Sequence, residues 1–231
     1  MKKYCCLLSI LIVMLIASCS SLHIGGYSER DKEDALLYLG NDMISLIEED
    51  DSIDPSVFIS GLPPEYTVYS SYSPIYDDTA GEYAERLSEI ISPLLPALYQ
   101  LTETHLDEAV SADRDTSIAD AEGLTDKLQN LIARDAYDLL LEGIEARRDA
   151  IESAFVTSYE TFSSIKAAYD NLSGVGFDTD LPEPVSYTTD SLGFLVTEYF
   201  FTRMGEAERY FKSQLPEEAD PIYRIFWEET L

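Results

Sequence analysis

The chain has 231 residues, of which 44 are acidic and 15 are basic, and its formal net charge at pH 7 is −29. This charge repels phosphate backbones and anionic lipid heads, so it argues against nucleic acid as a partner and favours cations and basic protein surfaces. A solvated acidic surface that only keeps the protein soluble is the simpler alternative. Apolar residues make up 45% of the chain, enough for the core of one large or two small domains, and they argue against a disordered chain.

The N-terminal stretch has the layout of a secretory leader. Lys2 and Lys3 give it a positive start, residues 7–16 are apolar, and residues 17–19 are small. The apolar stretch is shorter than the roughly 20 residues that a membrane-spanning helix needs. We therefore predict a cleaved signal peptide over residues 1–18.

The tetrad IASC at residues 16–19 resembles the lipobox of bacterial lipoproteins, in which a diacylglycerol is attached to the cysteine and the new N-terminus is acylated. An ordinary signal peptide with a chance cysteine is the alternative. Each buried methylene of acyl chains such as palmitate contributes about 0.8 kcal/mol, so several chains anchor a protein permanently. The resemblance implies lipidation at Cys19, a lipidated tether over residues 19–27 and a place in the bacterial cell envelope. Ser20 after the cysteine implies the outer membrane, facing the periplasm.

Lipidation would also account for the cysteines of the chain, of which there are 3. Cys5 and Cys6 would leave with the leader, and Cys19 would carry the lipid. No cysteine would then remain for a disulfide, a metal site or a thiol nucleophile. The mature fold would be held by core packing alone.

Helical periodicity dominates residues 28–231, which we predict to form a single all-helical domain because apolar residues recur there at spacings of three and four. In chain order, the first predicted element is a helix over roughly 29–49, capped by Ser28 and stopped before Pro55, and an extended connector in SVFISGLPPEY follows it. A second helix begins at about Thr79 and kinks or restarts at Pro93 and Pro96, with Ser92 as cap. The remaining predicted elements are helices over about 124–142, 144–172 and 188–214 and a short helix from Pro221. Because no strand alternation appears, the predicted fold is an all-α, irregular multi-helix bundle with a proline-kinked central helix.

Four tyrosines in EYTVYSSYSPIYDD form the most unusual local pattern. Tyr66, Tyr69, Tyr72 and Tyr76 are spaced three, three and four, so on a helix their rings would form one stripe. The rings either pack onto the bundle with their hydroxyls at its rim, or form an exposed strip that stacks on a glycan or anchors a partner protein. We treat the four residues as a candidate binding surface.

No pattern in the sequence indicates a catalytic site. The chain has 2 histidines, His23 in the tether and His105, which supply neither a paired zinc site nor a convincing Ser-His-Asp triad. We interpret His105 as a surface histidine beside carboxylates such as Glu108. No catalytic residue and no cofactor is predicted.

The sequence does not indicate a metal site either. The segment DRDTSIADAEGL departs from a calcium-binding EF-hand loop, since Ile118 stands where that loop has glycine and Leu124 where it has glutamate. Two charge pairs near the C-terminus have helical spacing, and we predict surface salt bridges for them. These pairs are Glu206 with Arg209 and Glu208 with Lys212.

Several short segments, in order, are similar to those of the bacterial exported proteins grouped as domain of unknown function 4197. They are SERDKEDAL, VFISGLPPEY, LLPALYQL, TSIADAEGL, YDNL, YTTDSLGFL and EAERYFKSQLP. The resemblance covers nearly the whole mature chain. It implies an all-α lipoprotein or periplasmic fold and no function, because the family has none assigned.

The sequence thus predicts a lipid-anchored, all-helical protein that works by binding, contacts the membrane through its N-terminal lipid and has an envelope protein as its expected partner. The alternatives are a glycan or small apolar ligand held between helices, and a carboxylate-dependent hydrolase. A cavity lined by Tyr and Phe would favour the small ligand, and a flat, exposed strip from Tyr66 to Tyr76 would favour a protein or glycan surface. A cleft with facing carboxylates and a histidine would favour the enzyme.

Overall fold

The computed structural model of the chain describes residues 27–60, 74–173, 186–214 and 221–228. The α-helices are α1 (Glu29–Glu48), α2 (Pro55–Ser60), α3 (Pro74–Ile91), α4 (Leu95–Ser111), α5 (Arg114–Ala119), α6 (Gly123–Glu145), α7 (Arg148–Ser173), α8 (Thr189–Ser213) and α9 (Ile225–Glu228), with 3-10 turns at Ser92–Leu94 and Pro221–Arg224. The described ranges contain no strand, so the all-α prediction is confirmed.

Helix α1 begins as the sequence predicts. The Ser28 hydroxyl accepts a hydrogen bond from the Asp31 backbone N–H at 3.2 Å, and the Asp31 carboxylate accepts one from the Ser28 N–H at 2.9 Å. This reciprocal capping box satisfies two N–H groups that have no partner within the helix. The helix ends at Glu48, where the predicted acidic run begins.

The prolines restart the central helix, as predicted. The 3-10 turn Ser92–Leu94 separates α3 from α4, and Pro93 lies in its first positions, where a missing N–H costs no hydrogen bond. The predicted Ser92 cap is wrong, because Ile91 is the residue before the turn and makes no side-chain cap. The Ser92 hydroxyl instead accepts a hydrogen bond at 2.9 Å from the Ile53 N–H, in the loop after α1.

Two short helices lie where the sequence predicts none. Residues 55–60 form α2 rather than an extended connector, because Asp54 accepts a hydrogen bond from the Ser56 N–H at 2.8 Å and Phe58 is fully buried. Within the polar stretch after α4, residues 114–119 form α5. Tertiary burial stabilises both helices, which are too short to be stable by propensity alone.

The core lies among α1, α4, α6 and α8. Helix α6 packs on α4 and α8, α1 packs on α4 and α8, and α3 pairs with α7 and α2. The helices approach closely at glycines: a Cβ at Gly40 would lie 2.4 Å from Leu106, and one at Gly143 would lie 2.5 Å from Leu94. Helix α5 joins the start of α1 to the end of α8, because Lys32 pairs with Asp115 and Lys212 binds the Ser117 carbonyl.

Among the described helices, none combines the length and the apolar content that crossing a bilayer requires.

Candidate functional site

Most of the sequence-predicted site residues lie outside the described residues. This holds for Cys19 and for Tyr66, Tyr69 and Tyr72. Tyr76 falls within α3, but its side chain is also outside the description. Lipidation and the tyrosine strip therefore stay predictions.

A cleft of about 500 Å³ lies where the C-terminal end of α6 meets the first turns of α7 and the start of α8. Its apolar lining residues are Ile144, Ile151, Phe155, Val156, Tyr187 and Leu192. Its volume falls within the roughly 300–1,000 Å³ of small-molecule sites in proteins. Three separate described parts of the chain build it, and the predicted charge pairs do not contribute to it.

Aromatic rings stiffen one wall of the cleft. Buried Tyr83 lies edge-on to Phe155 at 5.8 Å between ring centroids and stacks on Tyr187 at 6.4 Å. The Tyr187 hydroxyl donates a hydrogen bond to the Phe58 carbonyl. Burial raises the pKa of Tyr83 to about 12 and also raises the pKa of Tyr187. Both hydroxyls therefore stay protonated at neutral pH.

A polar network lies at the rim of the cleft and links the three helix ends by hydrogen bonds. The Glu145 carboxylate, at the end of α6, accepts hydrogen bonds from the Arg148 guanidinium at 2.6 Å and from the Thr189 hydroxyl at 3.3 Å. The Arg148 side chain is 56% exposed. A guanidinium has five N–H donors, so Arg148 can serve Glu145 and still donate to an oxygen of a bound molecule.

The start of α8 is fixed locally by its own sequence. The Thr188 hydroxyl accepts from the Ser191 N–H at 3.1 Å, and the Ser191 hydroxyl accepts from the Thr188 N–H at 3.0 Å. This capping box in YTTDS positions Tyr187 against Tyr83 and Thr189 against Glu145.

The lining groups of the cleft can hold an apolar body and hydrogen-bond a polar end. Glu152 and the hydroxyls of Ser186, Thr188 and Thr189 line it beside Arg148. The described histidine, His105, lies on α4 outside the cleft, with its Nδ1 3.6 Å from a Glu108 oxygen. Among the described residues that line this cleft, the geometry that would favour a hydrolase, facing carboxylates with a histidine, is therefore not found.

The segment compared with an EF-hand loop is bound at its start by a lysine side chain. Asp113 adopts a left-handed backbone conformation with φ of 42°, and its carboxylate accepts a hydrogen bond from the Thr116 hydroxyl at 2.7 Å. The Lys127 ammonium donates to the carbonyls of Ala112 and Asp113. A lysine thus holds these carbonyls, and no group of three or more His, Cys, Asp or Glu side chains that could hold a metal occurs among the described residues.

The prediction that Glu208 and Lys212 form a surface pair is wrong about where the pair lies. The two side chains do form an ion pair, at 2.6 Å, but Glu208 is fully buried. Its carboxylate accepts hydrogen bonds from the N–H groups of Leu124 at 3.0 Å and Thr125 at 2.7 Å, so a residue of α8 caps the start of α6. A carboxylate at this end of a helix is stabilised by the helix dipole as well.

The Lys212 ammonium also binds two backbone carbonyls besides the Glu208 carboxylate. It donates to the carbonyls of Ser117 and Asp120, each at 2.6 Å, and burial lowers its pKa. Arg209 pairs with Glu122 across the helices, not within α8 as predicted. This cluster joins α5, α6 and α8 and stabilises the packing of these three helices.

Comparison of the chain with protein-family models, with curated proteins and with solved structures finds no match in any of the three. The comparisons therefore add no support to the resemblance to the domain of unknown function 4197 family, which stays a prediction.

Proposed function

We propose that this protein is a lipid-anchored binding protein of the bacterial cell envelope that holds a small amphipathic molecule in the cleft between α6, α7 and α8. The observation that carries the proposal is a cleft of about 500 Å³ with an aromatic wall built on Phe155 and Tyr187. Between the alternatives that the sequence leaves open, a Tyr- and Phe-lined cavity favours the small ligand.

The lining defines the chemistry of the ligand. Aliphatic and aromatic side chains suit an apolar body, whose burial contributes about 25 cal/mol for each Å² removed from water. Arg148 and the hydroxyls at the rim suit an oxygen acceptor at one end of the ligand. A molecule with an apolar ring or short chain and a carboxylate, phosphate or hydroxyl group fits both parts.

The position of the cleft supports capture of a ligand from the aqueous side. A tether over residues 19–27 spans at most about 30 Å, so the start of α1 lies close to the membrane when Cys19 is lipidated. Helix α5 connects that start to the end of α8. The cleft lies at the opposite end of α8, which has 25 residues and is therefore about 37 Å long.

The test is whether the full-length protein carries a small molecule that depends on the cleft. Val156 lines the cleft and its side chain is 53% exposed, so Val156→Trp narrows the cleft without opening a cavity in the core. The matched control is Leu131→Trp, at an apolar residue of α6 that is 36% exposed and does not line the cleft. Both variants and the wild type are purified from membranes in polymer nanodiscs, and the small molecules are extracted and identified by mass spectrometry.

We expect one amphipathic species that is enriched in the wild type and in the Leu131→Trp variant and depleted in the Val156→Trp variant. Equal recovery from all three proteins would overturn the proposal.

A further inference from the structure

A second groove, of about 570 Å³, lies between the C-terminal half of α1 and α8 on another part of the molecule. Its floor is apolar, from Leu46 and Ile47 on α1 and Ala207 on α8, and the exposed ring of Tyr210 stands at its edge. Arg203, Ala207 and Tyr210 follow one face of α8 at helical spacing. We name this surface, lined by residues of α1 and α8, the α1–α8 groove.

The charges around the α1–α8 groove are almost all negative. Glu49, Asp50 and Glu206 line it, and Glu48 and Asp51 flank it in sequence. Arg203 is the basic residue of its lining, and Asp50 binds that guanidinium at 3.1 Å. The groove therefore presents an apolar floor between carboxylates, and its lining carries more negative than positive side chains.

This placement of charge opposes the stability of α1. The C-terminal end of a helix carries partial negative charge, which favours basic residues, yet the last turn of α1 has none and the acidic run begins there. Tyr210, 55% exposed at the edge of the same groove, is of a residue type that dominates binding energy at protein interfaces.

We infer that the α1–α8 groove docks a basic amphipathic segment of a partner protein, with apolar side chains on the groove floor and Lys or Arg side chains against the carboxylates. Charge complementarity selects this occupant. Anionic lipid heads and a second copy of a chain with net charge −29 would both be repelled. This inference goes beyond the small-ligand proposal and concerns a different surface.

The probe is a fluorescent Leu/Lys peptide that forms a helix with all its leucines on one face. A second peptide of the same composition has its leucines scattered around the helix. Binding of each to the full-length protein in nonionic detergent is measured by fluorescence anisotropy, with detergent alone as the blank. The groove variants are Tyr210→Ser and the double variant Glu49→Gln/Glu206→Gln, all at exposed side chains. The matched control for charge is Glu103→Gln/Asp107→Asn, at exposed residues of α4.

The amphipathic peptide should bind more tightly than the scattered one. The Tyr210→Ser variant should weaken its binding about tenfold, and the double groove variant about threefold or more. Equal weakening by the control on α4 would show attraction to an acidic surface in general and would overturn the inference. Equal binding of the two peptides would also overturn it. The Val156→Trp variant should leave peptide binding unchanged, so failure at one surface can be told from failure at the other.

Discussion

Replacing Glu208 by glutamine tests whether the buried carboxylate holds α8 to the start of α6. The side chain is fully buried and has three partners, the Lys212 ammonium and the N–H groups of Leu124 and Thr125. Glutamine keeps the volume but removes the negative charge. It leaves the ammonium without its counterion and turns an amide NH₂ toward an N–H or ammonium donor.

Breaking a buried ion pair by changing one partner typically costs about 3–5 kcal/mol. For a chain of this size each kcal/mol lowers Tm by about 2–4 °C, so the expected fall in Tm is roughly 6–20 °C. The double variant Glu208→Gln/Lys212→Met should lose less stability than the sum of the single variants, with a coupling energy of about 0.5–3 kcal/mol.

The assays are urea unfolding, which gives the free energy of unfolding, and thermal unfolding, which gives Tm, both on the full-length protein and followed by far-ultraviolet circular dichroism. Glu206→Gln is the control, because Glu206 lies two positions earlier on the same helix and is exposed, and its change should alter the free energy of unfolding by less than about 0.5 kcal/mol. Equal stability of Glu208→Gln and Glu206→Gln would show that the Glu208 carboxylate does not hold α8 to the start of α6.

Three further predictions follow from the packing and the caps. Gly123→Ala should destabilise the protein by about 1–3 kcal/mol, because its Cβ would lie 2.7 Å from the backbone oxygen of Thr116. Gly81→Ala should instead stabilise the protein by about 0.4–1 kcal/mol, since no described atom beyond the adjacent backbone of its own helix lies within 4 Å of the added Cβ. Urea unfolding compares the two variants. Ser28→Ala should cost about 1 kcal/mol through loss of the α1 cap, and equal stability in urea would contradict this. Burial raises the pKa of Tyr83 from 10.0 to about 12. The stability that its protonated form contributes is therefore complete below pH 10 and is lost as the pH rises from 10 to 12. In a pH titration, a fraction of the tyrosinate absorbance should appear only together with the loss of helical circular dichroism.

The elements that the sequence predicted are those defined by local physics. The capping box at Ser28 and the restart of the helix at Pro93 depend on neighbouring residues, and both are in the structure. The long helices follow from apolar spacing. Helix α6 runs to Glu145, whereas the predicted helix ended at about residue 142, because helix ends respond to tertiary partners such as Thr189.

What the sequence did not predict depends on distant contacts. Helix α2 forms because Phe58 enters the core, and α5 is held by Lys212 from the far end of the chain. The cleft brings together Phe155 and Tyr187 beside Tyr83, from three separate segments. One signal was in the sequence: Glu208 continues the buried spacing of Phe201 and Met204, which indicates a buried carboxylate rather than a surface pair.

The most direct test of the ligand-binding cleft is a titration of the full-length protein with N-phenyl-1-naphthylamine, an apolar dye that fluoresces when it leaves water. We expect saturable binding at one site per chain, lost in the Val156→Trp variant and retained in the Leu131→Trp variant. Identical titration curves for the wild type and Val156→Trp would contradict binding in the cleft, because the dye would then bind elsewhere on the protein.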